Sequence, residues 1–139
     1  YNKPSQAGLA NHFETVASAV SCPVILYNVP SRTGVSLTAH TIAQLSKNPT
    51  IRAIKEATGD IAFSLEIFDA CQKEKTTIGI LSGDDATFLP LVSVGAQGVI
   101  SVASNLFPRQ MVKIQSLLES GSIHEAQKLN QHFYPLFRD

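Results

Sequence analysis

Short apolar segments alternate with longer helical patterns along the whole chain, and this alternation restricts the fold more than any other sequence feature. We predict strands at residues 23–29, 51–56, 77–81 and 99–102. Strands that are apolar on both faces and alternate with helices are typical of βαβ units, whose strands form a parallel sheet. Their repeat of about 25 residues suits either an open doubly wound sheet or part of a (β/α)8 barrel.

The predicted helices around these strands have recognisable ends. We place them at residues 6–20, 38–45, 60–74, 85–94, 108–118 and 123–136, and we predict an SRTG loop at 31–34, after Pro30. Ser5 or Gln6 and Thr38 stand where N-cap residues belong, and Pro108 stands at the first position of its helix. Pro90 falls inside the helix at 85–94, where a proline removes one backbone hydrogen bond.

Two further observations choose between the two sheet architectures. No G-x-G-x-x-G motif follows a predicted strand, so a dinucleotide-binding open sheet loses support. A complete (β/α)8 barrel takes about 250 residues, whereas this chain has 139. We therefore predict an α/β fold that forms about half of a (β/α)8 barrel, followed by one more helix.

Composition excludes several classes of function. The chain is 44% hydrophobic and 16% charged, which is typical of a soluble globular protein. Its 11 basic and 11 acidic residues balance, so neither a nucleic-acid surface nor an electrostatic membrane anchor is indicated. Cys22 and Cys71 lack the spacing of a metal site, and we expect a reducing, cytoplasmic location.

The segment 51–56 carries a lysine, Lys55, near its end, and a buried strand does not ordinarily tolerate a lysine. Burial disfavours the ammonium form of a lysine, and the neutral amine is a nucleophile that forms Schiff bases with carbonyl substrates. The alternative is a lysine at the end of a strand whose stem covers apolar surface while its amine reaches water. The strand by itself does not decide between these readings.

Other polar or small residues stand at the ends of the predicted strands, where (β/α)8 barrels hold their active sites. Tyr27 is one βα unit away from Lys55, and a phenol beside an amine can move the protons of Schiff-base chemistry. Arg32, just past that strand, is suited to binding a carboxylate. Gly83 would let a ligand approach the backbone. Each of these residues also has a simpler explanation. Tyr27 could pack in the core or at its rim, Arg32 could lie in a solvated loop, and Gly83 could be required by a left-handed turn.

No metal site is predicted. Asp84 and Asp85 adjoin each other at a helix start, where capping explains them better than metal binding. Cys71 lies on an apolar helical face and is assigned to the core. The histidines are scattered over the predicted helices without an H-x-H or H-E-x-x-H spacing, which disfavours a zinc-dependent aldolase; they are His12, His40, His124 and His132.

Several stretches taken together resemble the dihydrodipicolinate synthase family, also called 4-hydroxy-tetrahydrodipicolinate synthases. They keep the order and spacing of that family over essentially the whole chain. The stretches are YNKPSQ at 1–6, YNVPSRTG at 27–34, IKEATGD at 54–60, SGDD at 82–85 and GVISV at 98–102. Five such stretches in register are far more specific than any one of them.

The resemblance implies an enzyme of the class I lyase type that works without a metal and without a cofactor other than the Schiff base itself. Such an enzyme condenses pyruvate with L-aspartate-4-semialdehyde in the diaminopimelate route to lysine. The family fold is a (β/α)8 barrel followed by a small helical region, mostly assembled as a homotetramer built from two dimers. Residues 1–121 then correspond to strands 5–8 of the barrel, and residues 122–139 begin the helical region.

The resemblance also implies catalytic roles for three residues of this chain. Lys55 matches the lysine that holds pyruvate as an enamine, and Tyr27 matches the tyrosine that relays protons beside it. Tyr1 matches a tyrosine that crosses the dimer interface and completes the relay in the neighbouring subunit. On this reading, one active site needs two chains.

Three further residues match substrate-binding positions of the family. Arg32 would bind the carboxylate of the semialdehyde, the carbonyl of Ile100 would line the pyruvate pocket, and Gly83 would be a close backbone neighbour. N-acetylneuraminate lyases and 2-keto-3-deoxy-gluconate aldolases share the lysine and the tyrosine but generally lack the SRTG loop found at 31–34. These sugar-acid lyases are the alternative function.

A second alternative concerns the extent of the chain. The family loop that contacts the pyruvate carboxylate does not occur in these 139 residues. Half a barrel leaves the edges of its outer strands unpaired. We therefore expect the 139 residues by themselves to be a catalytically incomplete barrel fragment, poorly soluble or oligomeric.

Overall fold

The computed structural model describes residues 2–138, and the side chains of residues 2–137. The chain alternates helices and strands, which confirms the predicted α/β class. The helices are α1 (Gln6–Ala19), α2 (Pro30–Thr33), α3 (Ala39–Leu45), α4 (Ile61–Lys73), α5 (Asp85–Ser93), α6 (Pro108–Glu119) and α7 (Ile123–Arg138), and the strands are β1 (Val24–Asn28), β2 (Ile51–Glu56), β3 (Gly79–Ser82) and β4 (Gly98–Val99).

The chain divides into two compact units, the first ending at Ile80 and the second beginning at Leu81. The division falls within β3. The predicted division into 1–121 and 122–139 refers to the architecture of the resembled family, and it stays a prediction. No helix of the described residues is long and apolar enough to span a bilayer.

The helices of the first unit begin at side-chain caps that satisfy otherwise unpaired backbone N–H groups. Ser5 accepts a hydrogen bond from the backbone of Gly8 at the start of α1, and Thr38 accepts one from Thr41 at the start of α3. Asp60 caps α4 by accepting from two backbone N–H groups. The predicted starts of these helices are therefore confirmed.

Strands β1 and β2 pair in parallel, and their two faces have different environments. Leu26 is the register partner of Ile54, and both are fully buried. Because successive side chains of a strand point to opposite faces, Tyr27 and Lys55 lie on the other, more open face. The apolar core of this unit therefore includes one face of the pair, and helices α3 and α4 pack against each other.

The prediction of an SRTG loop at 31–34 after Pro30 is wrong in part, because residues Pro30–Thr33 form one turn of helix. Pro30 occupies the first turn, where its fixed φ suits a helix and its missing N–H is not needed. Gly34 ends the turn at a φ of 71° and donates its N–H to the carbonyl of Pro30. This left-handed conformation is one that glycine adopts without a steric penalty.

In the second unit, β3 and β4 pair in parallel, with Leu81 opposite Gly98 and Ser82 opposite Val99. The predicted strand 99–102 is too long. Ile100 still donates its N–H to the carbonyl of Ser82 at 2.9 Å. Beyond that bond the backbone leaves the sheet and forms a 3₁₀ turn at Ala103–Asn105. The N–H groups of Val102 and Ala103 there donate to the Asp85 side chain and not to a neighbouring strand.

Helices α5, α6 and α7 enclose the core of the second unit. Its buried members are Phe88, Ala103, Met111, Ile114, Leu118 and Ala126. Pro90 lies inside α5 and Pro135 inside α7, and both helices continue through their prolines. Helix α7 also extends past the predicted end at residue 136, to Arg138.

Candidate active site

Lys55 and Tyr27 form a direct contact on the open face of the first unit. They are register partners on β2 and β1, and Lys55 Nζ lies 4.2 Å from the centroid of the Tyr27 ring. At this distance the ring face attracts an ammonium group. Tyr27 is 44% exposed and Lys55 is half-buried. The Tyr27 side chain therefore lines an accessible surface beside the amine and is not part of the core.

Arg32 lies on α2, immediately after the strand that carries Tyr27. Its side chain is exposed, and its backbone N–H donates to the carbonyl of Val29, which holds the turn against the end of β1. The guanidinium is thus carried by a short, capped helical turn and not by a loose loop. Gly34 closes the turn, and a Cβ at that glycine would lie 3.1 Å from the Cε of Lys3.

Gly83 and Ile100 lie in the second unit. Gly83 follows β3 directly and is half-buried. The glycines with positive φ among the described residues do not include Gly83, so a left-handed turn does not explain it. Ile100 follows β4, has a 41% exposed side chain and pairs through its backbone with Ser82. Both residues are therefore at the carboxyl ends of their strands, as predicted.

Asp84 and Asp85 separate into two different roles. Asp84 caps α5 by accepting from the N–H of Ala86, as predicted. Asp85 is only 6% exposed, and its Oδ2 accepts from the backbone N–H groups of Val102 and Ala103 at 3.0 and 2.8 Å. This carboxylate holds the segment that follows Ile100. This second role of Asp85 could not be predicted from the sequence, because its partners are 17 and 18 residues away.

A buried polar pair lies on the other face of β1 and β2, and sequence reasoning missed it. Asn28 and Glu56 directly follow Tyr27 and Lys55, and they are register partners. Asn28 Nδ2 donates to Glu56 Oε2 at 2.8 Å, and the two residues are 2% and 1% exposed. Polar residues that directly follow both candidate catalytic residues were the available signal.

Gln6 is a second residue that the sequence treated only as a possible cap. Its side chain joins α1 to the segment that precedes α3, donating to the carbonyl of Ser36 at 2.8 Å and accepting from the N–H of Thr38 at 3.0 Å. It also accepts from the hydroxyl of Thr41. The chain after α2 is therefore fixed by side chains from distant positions.

Two predictions about the site are not tested by the contacts described above. Tyr1 lies outside the described residues. Within residues 2–138, no group of three or more His, Cys, Asp or Glu side chains is arranged to hold a metal ion. That the site works without a cofactor stays a prediction.

Comparison with known protein families assigns this chain to one family. The model of the dihydrodipicolinate synthetase family matches residues 1–139. The chain belongs to this family. It is 49% identical over 94% of its length to a 4-hydroxy-tetrahydrodipicolinate synthase of Magnetococcus marinus, of which it covers 44%.

Solved structures of the family have the same fold. The chain is 47% identical to the 4-hydroxy-tetrahydrodipicolinate synthase of Methylacidiphilum fumariolicum SolV, with a TM-score of 0.93 over 99% of this chain and 45% of that one. It is 39% identical to the chloride-inhibited dihydrodipicolinate synthase of Acinetobacter baumannii complexed with pyruvate, with a TM-score of 0.91 over 99% and 46%.

The fraction of each relative that this chain covers also shows how much of the family fold the chain contains. The chain spans about half the length of the curated relatives it matches, 44% to 46%. Together with the four parallel strands, this confirms the predicted half of a (β/α)8 barrel. The comparisons favour the synthase reading over the sugar-acid lyases.

Proposed function

We propose that this chain carries the Schiff-base lysine of an enzyme that condenses pyruvate with L-aspartate-4-semialdehyde to 4-hydroxy-tetrahydrodipicolinate. The observation that carries the proposal is the contact of Lys55 Nζ with the Tyr27 ring, 4.2 Å from its centroid, in a member of the dihydrodipicolinate synthetase family. The likeness to a synthase complexed with pyruvate supports the first substrate. The pathway would be diaminopimelate and lysine biosynthesis.

Lys55 is the nucleophile in this proposal. Its neutral amine attacks the ketone carbon of pyruvate, and the resulting carbinolamine loses water to give an imine. Loss of a proton from the methyl group converts the imine into an enamine, whose terminal carbon forms the new bond to the aldehyde carbon. Attack of the semialdehyde's amino group on the imine carbon then closes the ring and expels the Lys55 amine, so no cofactor is consumed.

Tyr27 moves the protons in this proposal. Carbinolamine formation, loss of water and enamine formation each transfer a proton, and a phenol beside the amine can accept and return it. The ring contact supports this role because it keeps the phenol next to Lys55. Tyr1 of a neighbouring subunit would continue the relay, which makes a homo-oligomer part of the proposal, as a dimer of dimers in the cytoplasm.

The remaining site residues bind substrate. Arg32 would pair with the carboxylate of the semialdehyde, and its exposed position on α2 supports a role at the mouth of the site. The carbonyl of Ile100 would line the pyruvate pocket, with Gly83 as a close backbone neighbour. Asp85 supports this role of Ile100 by holding the next residues in place.

Pyruvate with borohydride tests the proposal, because borohydride reduces an imine to a stable amine that peptide mapping can locate. The protein expressed from its complete reading frame should give one adduct, at Lys55, and the Lys55→Arg variant none. The intact mass and light scattering of the same sample give the assembly. An adduct at another lysine, or none in the wild type, would remove the Schiff-base assignment.

Two further measurements separate the alternatives. Turnover with aspartate-semialdehyde but not with sugar aldehydes would distinguish the synthase from a sugar-acid lyase. The 139 residues expressed alone should give little adduct, because the loop expected to contact the pyruvate carboxylate is not among them. Full activity of a monodisperse 139-residue monomer would contradict the fragment expectation and leave the Lys55 assignment intact.

A further inference from the structure

The Asn28–Glu56 pair is buried directly behind the Lys55–Tyr27 contact. The two pairs occupy successive register positions of the same two strands, Tyr27 opposite Lys55 and Asn28 opposite Glu56. Successive residues of a strand face opposite sides, so one pair lies on the open face and the other on the buried face. Any shift of one strand against the other would therefore move both pairs together.

The hydrogen bonds of the pair are directional, and each polar atom of the two side chains has a partner. Asn28 Oδ1 accepts from the N–H of Leu37 at 3.0 Å, which leaves its Nδ2 to donate to Glu56 Oε2 at 2.8 Å. Glu56 Oε1 accepts from the N–H of Thr58. Ser36 Oγ also lies 3.3 Å from both polar atoms of the Asn28 side chain. The pair thus connects the ends of both strands to the chain before α3 and to the chain after β2.

Stability by itself gives little reason for a polar pair at this place. The preceding buried pair, Leu26 and Ile54, is apolar, and replacing buried polar pairs with apolar ones is often neutral or stabilising. The ion pairs found among the described residues are Lys47–Glu74 and Lys73–Asp69, so Glu56 depends on hydrogen bonds. What a directional pair adds is a unique register, since a slip of one residue would put Lys55 on the wrong face.

We propose that the Asn28–Glu56 pair is the positioning element of the active site, which fixes the ends of β1 and β2 so that the Lys55 amine stays over the Tyr27 ring. This inference rests on the proposed function for its catalytic readout. Glu56 and Asn28 touch neither substrate nor the reacting atoms; they act through the strand ends. Misplacement of a reacting group by about 1 Å can cost a hundredfold in rate.

Exchanging the carboxyl and amide groups of the pair gives a sharp test. In Glu56→Gln, the new amide group must point its NH2 either at the Asn28 NH2 or at the Thr58 N–H, and both contacts are repulsive. In the double variant Asn28→Asp/Glu56→Gln, the amide at position 56 donates to the new carboxyl group at position 28. The double variant thus restores the bond between the two side chains and keeps acceptors for the N–H groups of Leu37 and Thr58, with the same number of heavy atoms.

The chain offers a matched control in the same unit. Asn48 Nδ2 donates to Glu14 Oε2 at 2.7 Å, which is the same chemistry before the start of β2 and away from the strand ends that carry Lys55 and Tyr27. Glu14→Gln should leave kcat unchanged. Asn28→Ser removes the donor to Glu56 without introducing a facing donor, and it replaces Glu56→Gln in the comparison should that variant not fold.

The kinetic experiment uses protein expressed from the complete reading frame, well below the melting temperature of each variant. We expect Glu56→Gln to lower kcat and the rate of borohydride-trapped adduct at saturating pyruvate by about tenfold or more, and the double variant to recover to within about threefold. The KM for pyruvate should change little. Wild-type kcat in Glu56→Gln with only a lower melting temperature would overturn the proposal.

A spectroscopic readout does not depend on activity. Lysines reductively methylated with ¹³C give one resonance each, and methyl groups held over an aromatic face are shifted upfield. The Lys55 resonance, assigned with Lys55→Arg, should lose its upfield shift in Glu56→Gln and regain it in the double variant, while Glu14→Gln keeps it. If the wild type forms no pyruvate adduct but the variants still show this NMR pattern, the proposed function is wrong and the positioning role of the pair stands.

Discussion

Lys55 Nζ lies 4.2 Å from the centroid of the Tyr27 ring, and the two residues are direct register partners on neighbouring parallel strands. Residue order fixed neither the distance nor the pairing. A parallel register that placed Lys55 one residue further along would have turned it toward the buried face. The contact therefore requires that the two side chains lie on the same face of the sheet and directly opposite each other, and both conditions follow from the register of β1 and β2.

Tyr27→Phe tests whether the hydroxyl or the ring matters. The ring contact with Lys55 remains, so the pyruvate adduct should still form at that lysine. Because the proton relay is lost, kcat should fall by about a hundredfold or more. Steady-state kinetics and borohydride trapping measure the two effects separately. Unchanged kcat would assign Tyr27 to packing alone.

Arg32→Lys tests the carboxylate-binding role. A lysine keeps the positive charge but cannot form the two parallel hydrogen bonds of a guanidinium. We expect the KM for the semialdehyde to rise about tenfold or more, with the pyruvate adduct at Lys55 unaffected. A change in adduct formation of the same size would show that Arg32 acts on pyruvate instead.

Gly34→Ala tests whether the turn that carries Arg32 needs its left-handed end. At a φ of 71°, an alanine should cost about 1–2 kcal/mol of unfolding free energy, measured by urea denaturation. Gly121→Ala is the control for the backbone effect alone, because its φ is 75° and no atom lies within 4 Å of the added Cβ, whereas at Gly34 the flexible end of Lys3 must move aside. Both variants should lose similar stability, but only Gly34→Ala should raise the KM for the semialdehyde. Equal kinetics would separate the turn from substrate binding.

Asp85→Ala tests the support of the segment after Ile100. The buried N–H of Ala103 and the partly buried N–H of Val102 lose their acceptor, which should lower the unfolding free energy by about 1–3 kcal/mol and raise the KM for pyruvate. Asp84→Ala loses only a helix cap and should cost about 1 kcal/mol with no effect on KM. The two denaturation curves and the two KM values make the comparison. Equal KM values would remove this segment from the pyruvate pocket.

Cys71 gives a prediction about pH. Burial raises the pKa of the Cys71 thiol above its ordinary value of 9.0, and a hydrogen bond with Ser46 opposes that shift. The associated stabilisation is fully present below a pH of about 9 and is lost as the pH rises through the folded-state pKa. The stability difference between wild type and Cys71→Ala should therefore narrow above about pH 9. In native protein an alkylating reagent should modify the exposed Cys22 and spare Cys71.

Much of the local structure could be predicted from the sequence, because it depends on residues that are close in the chain. The bounds of β2 and the caps Ser5, Thr38 and Asp84 follow from hydrophobic spacing and from side chains that bond within three residues. The turn at Pro30–Thr33 follows the same local chemistry, with proline at its start and glycine at its end. Its helical form was missed because an SRTG segment is typical of loops.

The rest depends on residues that are distant in the chain. The Asn28–Glu56 bond joins positions 28 residues apart, and the Asp85 bond to Ala103 joins positions 18 apart. The early end of β4 has the same origin, since the N–H groups of Val102 and Ala103 bond to Asp85 and leave the sheet.

The sequence alone is enough to place Lys55 and Tyr27, the proposed catalytic residues, at the ends of neighbouring strands. Tertiary packing selects which face of β1 and β2 is buried, and therefore which of the two successive polar pairs remains accessible to solvent. A strand's alternation sets two faces but not their environments. One face becomes the buried one only when the rest of the fold packs against it and removes it from water.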